Sequence, residues 1–170
     1  MLLTRYLPGI CSGRIEMESK NSRKILAVAS KGGHWEQLML LRPAMKDCEV
    51  IFACTDAQQG ENFNQGTFYC LSDYSRSTPL QTLKGFFEML VLVGRIRPDI
   101  VISTGAAPGL LALVAGRVLG AKTIWVDSIA NSQQMSMSGS LARRFCHVTV
   151  TQWQHLVQSN PGCVYWGSVI

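Results

Sequence analysis

The sequence predicts an α/β fold: one Rossmann-like parallel sheet with helices on both faces. Short apolar runs of strand length alternate along the chain with longer segments whose apolar residues recur at helical spacing. The first run leads into a two-glycine turn and a helix, and no sequence period repeats. The chain has 170 residues, 47% of them hydrophobic. This length suits a single domain, which we place at residues 23–170.

The prediction is organised around residues 24–41, which indicate a strand, a tight turn and a helix. Residues 24–30 form a short apolar run, typical of a strand covered on both faces. Gly32 and Gly33 permit backbone conformations that other residues avoid, and His34 opens the helix. Unpaired N–H groups at a helix start favour an anion, so a phosphate or a diphosphate could bind here. The alternative is a closely packed turn that binds nothing.

The remaining elements follow in chain order. Further strands are predicted at residues 49–54, 67–71, 99–103, 123–127, 147–150 and 163–166. Residues 79–97 predict a helix that begins at a proline and has a broad apolar face. Residues 110–120 predict a helix that is apolar on nearly all sides. Residues 57–66 indicate a loop, and residues 152–159 indicate one or two helical turns. Strands that alternate with helices favour a parallel sheet.

Composition and charge exclude several classes of function. The net charge of +5 is moderate, and the basic residues are scattered, so we expect no nucleic-acid partner. The six cysteines show neither a CxxC motif nor the spacing of zinc ligands, so we expect no metal site and a reducing, cytoplasmic location. No apolar run reaches the ~18 residues of a spanning helix. Residues 1–22 predict a disordered arm rather than a signal peptide.

Ligand-binding segments are expected along one edge of the sheet. In parallel sheets, ligands bind outside the carboxyl ends of the strands. The turns at 32–34 and 104–109 fall there, as do Asp56, Asp127 and Ser128. Asp56 leaves open a nicotinamide-dinucleotide enzyme, in which an acidic residue at the end of the second strand contacts the ribose. However, the sequence has no GxGxxG fingerprint, P-loop, Asp-x-Asp pair or G-x-S-x-G elbow, and we expect no bound cofactor.

Four segments, in this order, resemble a known family: SKGGHWEQLMLL, DIVISTGAAPGLLALVAGRVLGAKTIWVDS, VTQWQHL and CVYWGSV. They look like PssD-type bacterial exopolysaccharide glycosyltransferase subunits, which are similar to the membrane-associated subunit of the eukaryotic dolichol-linked GlcNAc transferase. The resemblance runs from residue 24 to the C-terminus. It implies the N-terminal half of a GT-B transferase, which binds a polyprenyl-diphosphate-linked saccharide acceptor. A separate donor-binding subunit would hold the nucleotide sugar.

The resemblance also implies roles for individual residues. His34 would be the catalytic base that takes the proton of the acceptor hydroxyl, a task that suits an imidazole. Alternatively, His34 caps its helix or bonds to a loop carbonyl. The residues implied to bind the acceptor or its diphosphate are Gly32, Gly33, Thr104, Gly105, Ala106, Asp127 and Ser128. Activity would require the partner, and a non-catalytic scaffold for that partner is a further alternative.

Two surfaces are expected to meet other molecules. The partner is predicted to contact aromatic and aliphatic side chains near the C-terminus that would otherwise stay exposed to water. These side chains are Tyr165, Trp166, Val169 and Ile170. A peripheral contact with the inner face of the plasma membrane is expected through the 79–97 helix, with Lys84, Arg95 and Arg97, or through residues 135–144. The alternative is that the 79–97 helix is ordinary core packing.

Overall fold

The computed structural model describes residues 22–61, 63, 66–72 and 79–169. The predicted arm at 1–22 lies outside the described residues except for residue 22, and so does Ile170. Seven strands pair in parallel in the order β3-β2-β1-β4-β5-β6-β7. Their bounds are β1 Lys24–Ala29, β2 Glu49–Cys54, β3 Thr67–Cys70, β4 Ile100–Ser103, β5 Lys122–Val126, β6 Val148–Thr151 and β7 Cys163–Tyr165. The predicted fold class is confirmed.

Helices connect these strands. Their bounds are α1 Gly33–Leu41, α2 Ala57–Glu61, α3 Pro79–Ile96, α4 Ala106–Val118, α5 Met137–Ala142 and α6 Gln154–Ser159, with a 3-10 helix at Arg42–Met45. Helix α2 lies where the sequence predicted only a loop, so that prediction was wrong in part. The Asp56 carboxylate accepts a hydrogen bond from the Gln58 N–H at 3.1 Å, which satisfies a donor at the start of this short helix.

Helices pack on both faces of the sheet, and β1 is an interior strand, the third of the seven. Alternate side chains of β1 point to opposite faces, as expected for a strand. Leu26 packs in the cluster that contains residues of α3 and α4, whereas Ile25 packs in the cluster that contains residues of α1. On the α1 face, the Trp35 ring makes an edge contact with Phe52, with 6.1 Å between the ring centroids. These clusters fix α1 and α4 against the sheet.

The face that carries α1 has an apolar groove beyond that helix. It is lined by strand side chains such as Ile102, Ile124 and Val126, and by Trp166 and Val169 of the C-terminal segment. Parallel sheets normally have both faces covered because their strands are apolar on both sides. In the described chain, the C-terminal segment lies beside this groove rather than filling it.

Helix α3 divides its apolar residues between the core and the surface. Met89 and Val93 are buried against the sheet. A stripe at helical spacing faces outward instead: Leu80, Leu83, Phe87 and Val91 are 77%, 52%, 58% and 70% exposed. One face of this helix therefore packs on the core, as the alternative expected, and the membrane contact stays a prediction. None of the helices in the described ranges is both long and apolar enough to span a membrane.

Candidate functional site

The candidate site lies where the strand order changes direction. Strands β1 and β4 are neighbours in the sheet. The next strand in the chain after β1 is β2, which lies on one side of this pair, and the next strand after β4 is β5, which lies on the other side. The turns that follow them, before α1 and α4, therefore lie side by side at the carboxyl edge. Ligands of open α/β sheets bind at such a switch point. The first two predicted loops, at residues 32–34 and 104–106, meet here.

The first loop has an open backbone. Gly32 has φ 75° and ψ −141°, in a region that favours glycine, and no side chain caps α1 among the residues described. A β-carbon added at either Gly32 or Gly33 would meet no atom within 4 Å. The close packing of the alternative is therefore absent at these two positions, and ligand binding by the turn stays a prediction. At Gly33, neither a positive φ nor crowding within the chain accounts for the glycine, so the space above this helix start is free for a ligand.

His34 joins the first loop to the second through a reciprocal pair of hydrogen bonds. Its Nδ1 lies 3.0 Å from the Thr104 carbonyl oxygen, and the Thr104 hydroxyl donates to the His34 carbonyl oxygen at 2.6 Å. A carbonyl oxygen only accepts, so Nδ1 carries the hydrogen in this contact. In the neutral ring, Nε2 then holds the lone pair. His34 therefore does bond to a loop carbonyl, which is the alternative to a catalytic role. The same hydrogen bond fixes the tautomer that a base needs.

The second loop is shaped around the His34 ring. Gly105 has φ 150° and ψ 178°, a backbone conformation that is essentially restricted to glycine. A β-carbon at Gly105 would lie 2.3 Å from His34 Nδ1, so the ring occupies the space that any other side chain would need. Ala106, the first residue of α4, has φ 61°. Non-glycine residues rarely adopt this conformation and it is strained, as backbones at functional sites often are.

The third predicted segment consists of Asp127 and Ser128, and the structure differs from the prediction at Asp127. Its side chain is 1% exposed, and its carboxylate accepts from Ser136 N–H at 2.9 Å, Ser136 Oγ at 2.6 Å and Trp125 Nε1 at 3.1 Å. A buried carboxylate surrounded by its own donors cannot also contact an acceptor, and its charge would repel a diphosphate. The direct role predicted for Asp127 is therefore corrected: it organises the chain between β5 and α5. Ser128 is half-buried, and its hydroxyl accepts from Ala130 N–H at 3.3 Å.

Gln37, which is 3% exposed in α1, is a residue of this site that the sequence pattern did not indicate. Its Nε2 donates to the Asp127 carbonyl oxygen at 3.0 Å, and its Oε1 accepts from Ile129 N–H at 3.1 Å. Its place on the buried face of an amphipathic helix was the available signal, because a polar side chain there needs partners. Its partners lie about 90 residues further along the chain, so the pattern around Gln37 could not identify them.

The C-terminal segment is only partly as predicted. Trp166 and Val169 pack against the core cluster of the α1 face, and Val169 N–H donates to Gln152 Oε1 at 3.1 Å. Both side chains are half-buried, so the premise that they would otherwise stay exposed holds only in part, and their contact with the partner stays a prediction. Tyr165, at 38%, is exposed.

The described residues offer little other chemistry at this edge. No three His, Cys, Asp or Glu side chains among them form a group that could hold a metal ion. Cys54 ends β2, but burial raises the pKa of its thiol, which disfavours the nucleophilic thiolate. At this edge, the described residues therefore supply an imidazole of fixed tautomer. It lies between the starts of two helices, and the partial positive charge of a helix start favours an anion.

The structure is similar to parts of larger solved proteins. MurG from Acinetobacter baumannii superposes with a TM-score of 0.68 and 14% sequence identity, over 86% of this chain and 45% of that one. UDP-N-acetylglucosamine 2-epimerase from Rickettsia bellii gives a TM-score of 0.67 and 10% identity, over 88% of this chain and 46% of that one. The chain thus spans about half the length of each. These similarities support the Rossmann-like fold.

Sequence comparison gives relatives of similar length. The human UDP-N-acetylglucosamine transferase subunit ALG14 is 25% identical over 191 aligned positions, which cover 92% of this chain and 87% of the human one. The subunit of the same name from Eremothecium gossypii is 22% identical over 197 positions, covering 97% and 88%. The sequence profile described as "Oligosaccharide biosynthesis protein Alg14 like" matches residues 72–169, more than half of the chain. The chain therefore belongs to the Alg14-like family of oligosaccharide biosynthesis proteins.

Proposed function

We propose that this chain is the acceptor-binding subunit of a two-component GT-B glycosyltransferase. The complex would transfer a sugar from a nucleotide sugar to a lipid-linked saccharide in exopolysaccharide biosynthesis. The observation that carries this proposal is the His34–Thr104 pair, which holds an imidazole between two helix starts beside an open glycine turn. The names of the ALG14 relatives support a transferase subunit. The match to about half of MurG supports a chain that supplies one side of a two-sided cleft.

In this proposal, His34 acts as a general base. Nε2 takes the proton of the acceptor hydroxyl while the hydroxyl oxygen forms a bond to the anomeric carbon of the donor sugar. The bond from that carbon to the nucleotide diphosphate breaks, and the diphosphate leaves with the bonding electrons. The Nδ1 contact with Thr104 holds the ring in the required tautomer. The first-turn amides of α1 and α4 bind the acceptor diphosphate.

The decisive experiment measures transfer by the chain with its partner, co-purified from the native host. The probes are a polyprenyl-diphosphate-linked saccharide and a panel of sugar nucleotides. His34→Ala should lower kcat by about 10²–10⁴-fold, the usual cost of losing a general base. His147→Ala is the control, because the His147 ring also makes a hydrogen bond to the backbone, accepting from Thr123 N–H at 3.0 Å, but lies before β6, away from the carboxyl ends of the strands. An unchanged kcat in His34→Ala would favour the scaffold alternative.

The partner requirement can be tested with the same substrates. This chain alone should transfer no sugar from the sugar nucleotide to the acceptor, because transfer needs the donor held across a cleft from the acceptor. We propose that the partner covers the apolar groove beside Trp166 and Val169, together with the exposed Tyr165. Tyr165→Glu should then weaken co-purification without changing stability. Transfer by the isolated chain would refute the two-component proposal.

A dinucleotide enzyme is the competing function, and Asp56 discriminates between the two. The Asp56 carboxylate accepts the Gln58 N–H at the start of α2. The proposed function predicts no saturable binding of NAD(H) by isothermal calorimetry. Saturable binding that Asp56→Ala abolishes would favour the dehydrogenase alternative.

We further propose that the outward stripe of α3 docks the chain on an anionic membrane at the cytoplasmic face. The stripe is apolar, and Lys84 and Arg95 are exposed beside it, with Arg97 just past the helix end. An amphipathic surface of this kind suits a lipid interface. The three basic side chains would contribute about 3 kcal/mol on an anionic surface, roughly a hundredfold in affinity at low salt.

Vesicle sedimentation tests this contact. Vesicles with anionic lipid should bind the chain more tightly than neutral vesicles, and high salt should weaken the binding. Phe87→Glu should weaken it at every salt concentration. Leu40→Glu is the matched control, because Leu40 is 54% exposed but belongs to α1. If the two substitutions weaken vesicle binding equally, α3 does not make the membrane contact.

A further inference from the structure

We propose that Gln37 is a positioning residue that holds the turn at residues 127–129 in the shape that receives the acceptor. This inference rests on the proposed function for its substrate, but its geometry is independent of that function. The Gln37 carboxamide satisfies one backbone carbonyl and one backbone N–H of the same turn, at 3.0 Å and 3.1 Å. Both partners are backbone groups, so the contact sets the path of the chain.

The orientation of the carboxamide follows from its partners. The Asp127 carbonyl can only accept, and the Ile129 N–H can only donate. The amide nitrogen must therefore face Asp127, and the amide oxygen must face Ile129. Gln37 is 3% exposed. An apolar side chain of similar volume would leave both backbone groups without this partner, and such groups are costly when removed from water.

Gln37 differs from the other anchors of this turn because it reaches across the switch point. The Asp127 carboxylate ties the turn to Trp125 and Ser136, and Trp153 Nε1 donates to the Ile129 carbonyl oxygen at 2.8 Å. Those partners all come from the β5-to-α6 part of the chain. Gln37 instead belongs to α1, whose first turn carries His34.

The consequence is a single geometric unit made of three loops. His34 links the first loop to the second through Thr104, and Gln37, one helical turn later, links the same helix to the third. The half-buried Ser128 lies between the two turn residues that Gln37 holds. A displacement of the third loop therefore changes its distance from the base, and displacements of about 1 Å can cost a hundredfold in rate.

The test compares Gln37→Met with Gln152→Met in the complex with the partner. Methionine keeps an unbranched side chain of similar length but has no amide. Gln152 is the matched control because it is also 3% exposed and also accepts from one backbone N–H, that of Val169. Gln152→Met is a control for stability and for local amide hydrogen exchange, and it is not a control for activity.

In Gln37→Met, the Ile129 amide should exchange with solvent about five- to tenfold faster, the effect of losing one hydrogen bond. Gln152→Met should leave this exchange unchanged. The KM for the lipid-linked acceptor should rise about tenfold in Gln37→Met, while the KM for the sugar nucleotide stays the same. Unchanged exchange at Ile129 would overturn the proposal, and so would equal rises in both KM values.

The two readouts separate this proposal from the proposed function. If the wild-type complex transfers no sugar but Gln37→Met still accelerates exchange at Ile129, the transferase proposal fails and the holding of the turn stands. The acceptor part of this inference then fails with the transferase. If transfer is normal and only the exchange result is negative, Gln37 is not a positioning residue.

Discussion

Replacing Gly105 with alanine should displace the His34 ring. The added β-carbon would lie 2.3 Å from Nδ1 and 2.4 Å from Cε1, far inside contact distance. The ring must move, and its hydrogen bond to the Thr104 carbonyl oxygen must break. Alanine must also adopt φ 150° and ψ 178°, a conformation that suits glycine alone.

The expected loss of stability is the sum of two costs. The backbone conformation costs about 1–3 kcal/mol, and the lost hydrogen bond costs about 0.5–1.5 kcal/mol. The free energy of unfolding should therefore fall by about 2–4 kcal/mol. Native domains have free energies of unfolding of about 5–15 kcal/mol, so the variant should still fold. Gly120→Ala is the control, because Gly120 has φ 89° but open space around it. It should lose only the backbone cost, about 1–2 kcal/mol.

Urea denaturation of both variants measures the difference, and nitrogen NMR of the His34 ring reports whether Nδ1 keeps its hydrogen-bonded proton. In Gly105→Ala, that proton signal should shift or exchange rapidly with water. The two variants could instead lose equal stability while the Nδ1–H signal stays unchanged. That result would show that Gly105 does not position the ring.

Three further predictions concern stability. Ala106→Gly should raise the melting temperature by about 2–4 °C, because it relieves an alanine at φ 61°; a lower value would contradict the strain. Gly139→Ala should lower the free energy of unfolding by about 1–3 kcal/mol, since its β-carbon would lie 2.7 Å from the Asp127 carboxylate and 2.9 Å from Trp125 Nε1; an unchanged urea midpoint would contradict it. Burial raises the pKa of the Cys146 thiol from 9.0 to about 11. Its unfolded form therefore loses a proton first, and stability should fall between those pH values. Cys146→Ala should reduce that fall in urea titrations; an equal fall in both proteins would contradict it.

The strands and long helices could be predicted because their signals are local. Residues 49–54 were assigned as they are observed, and helix α3 begins at its proline, as expected. Apolar runs bounded by glycine, proline or aspartate identify such elements within a short window. Helix α2 was missed because its start depends on one side-chain hydrogen bond, from Gln58 N–H to Asp56, within a polar segment.

Contacts within the candidate site could not be predicted in the same way. The sequence indicated that His34 and Thr104 would lie at the same edge, but not that they exchange two hydrogen bonds across 70 residues. It placed Asp127 at a strand end, where a carboxylate often meets a ligand, but gave no sign that its side chain turns inward to Ser136. The direction of a side chain depends on packing partners from distant segments, and a single sequence does not reveal them.

The interior position of β1 affects how the chain is made as well as what it binds. Strand β1 can pair with β2, and β2 with β3, once residues 24–70 have left the ribosome, but the other side of β1 pairs with β4, with Ile25 opposite Ile100. Until that strand emerges, the growing chain carries three of the seven strands, and the side of β1 that later pairs with β4 stays open. Open edges recruit other chains, and pairings this distant in sequence form slowly. Production of this protein is therefore most exposed to aggregation while residues 71–103 are being synthesised, the interval in which the binding edge does not yet exist.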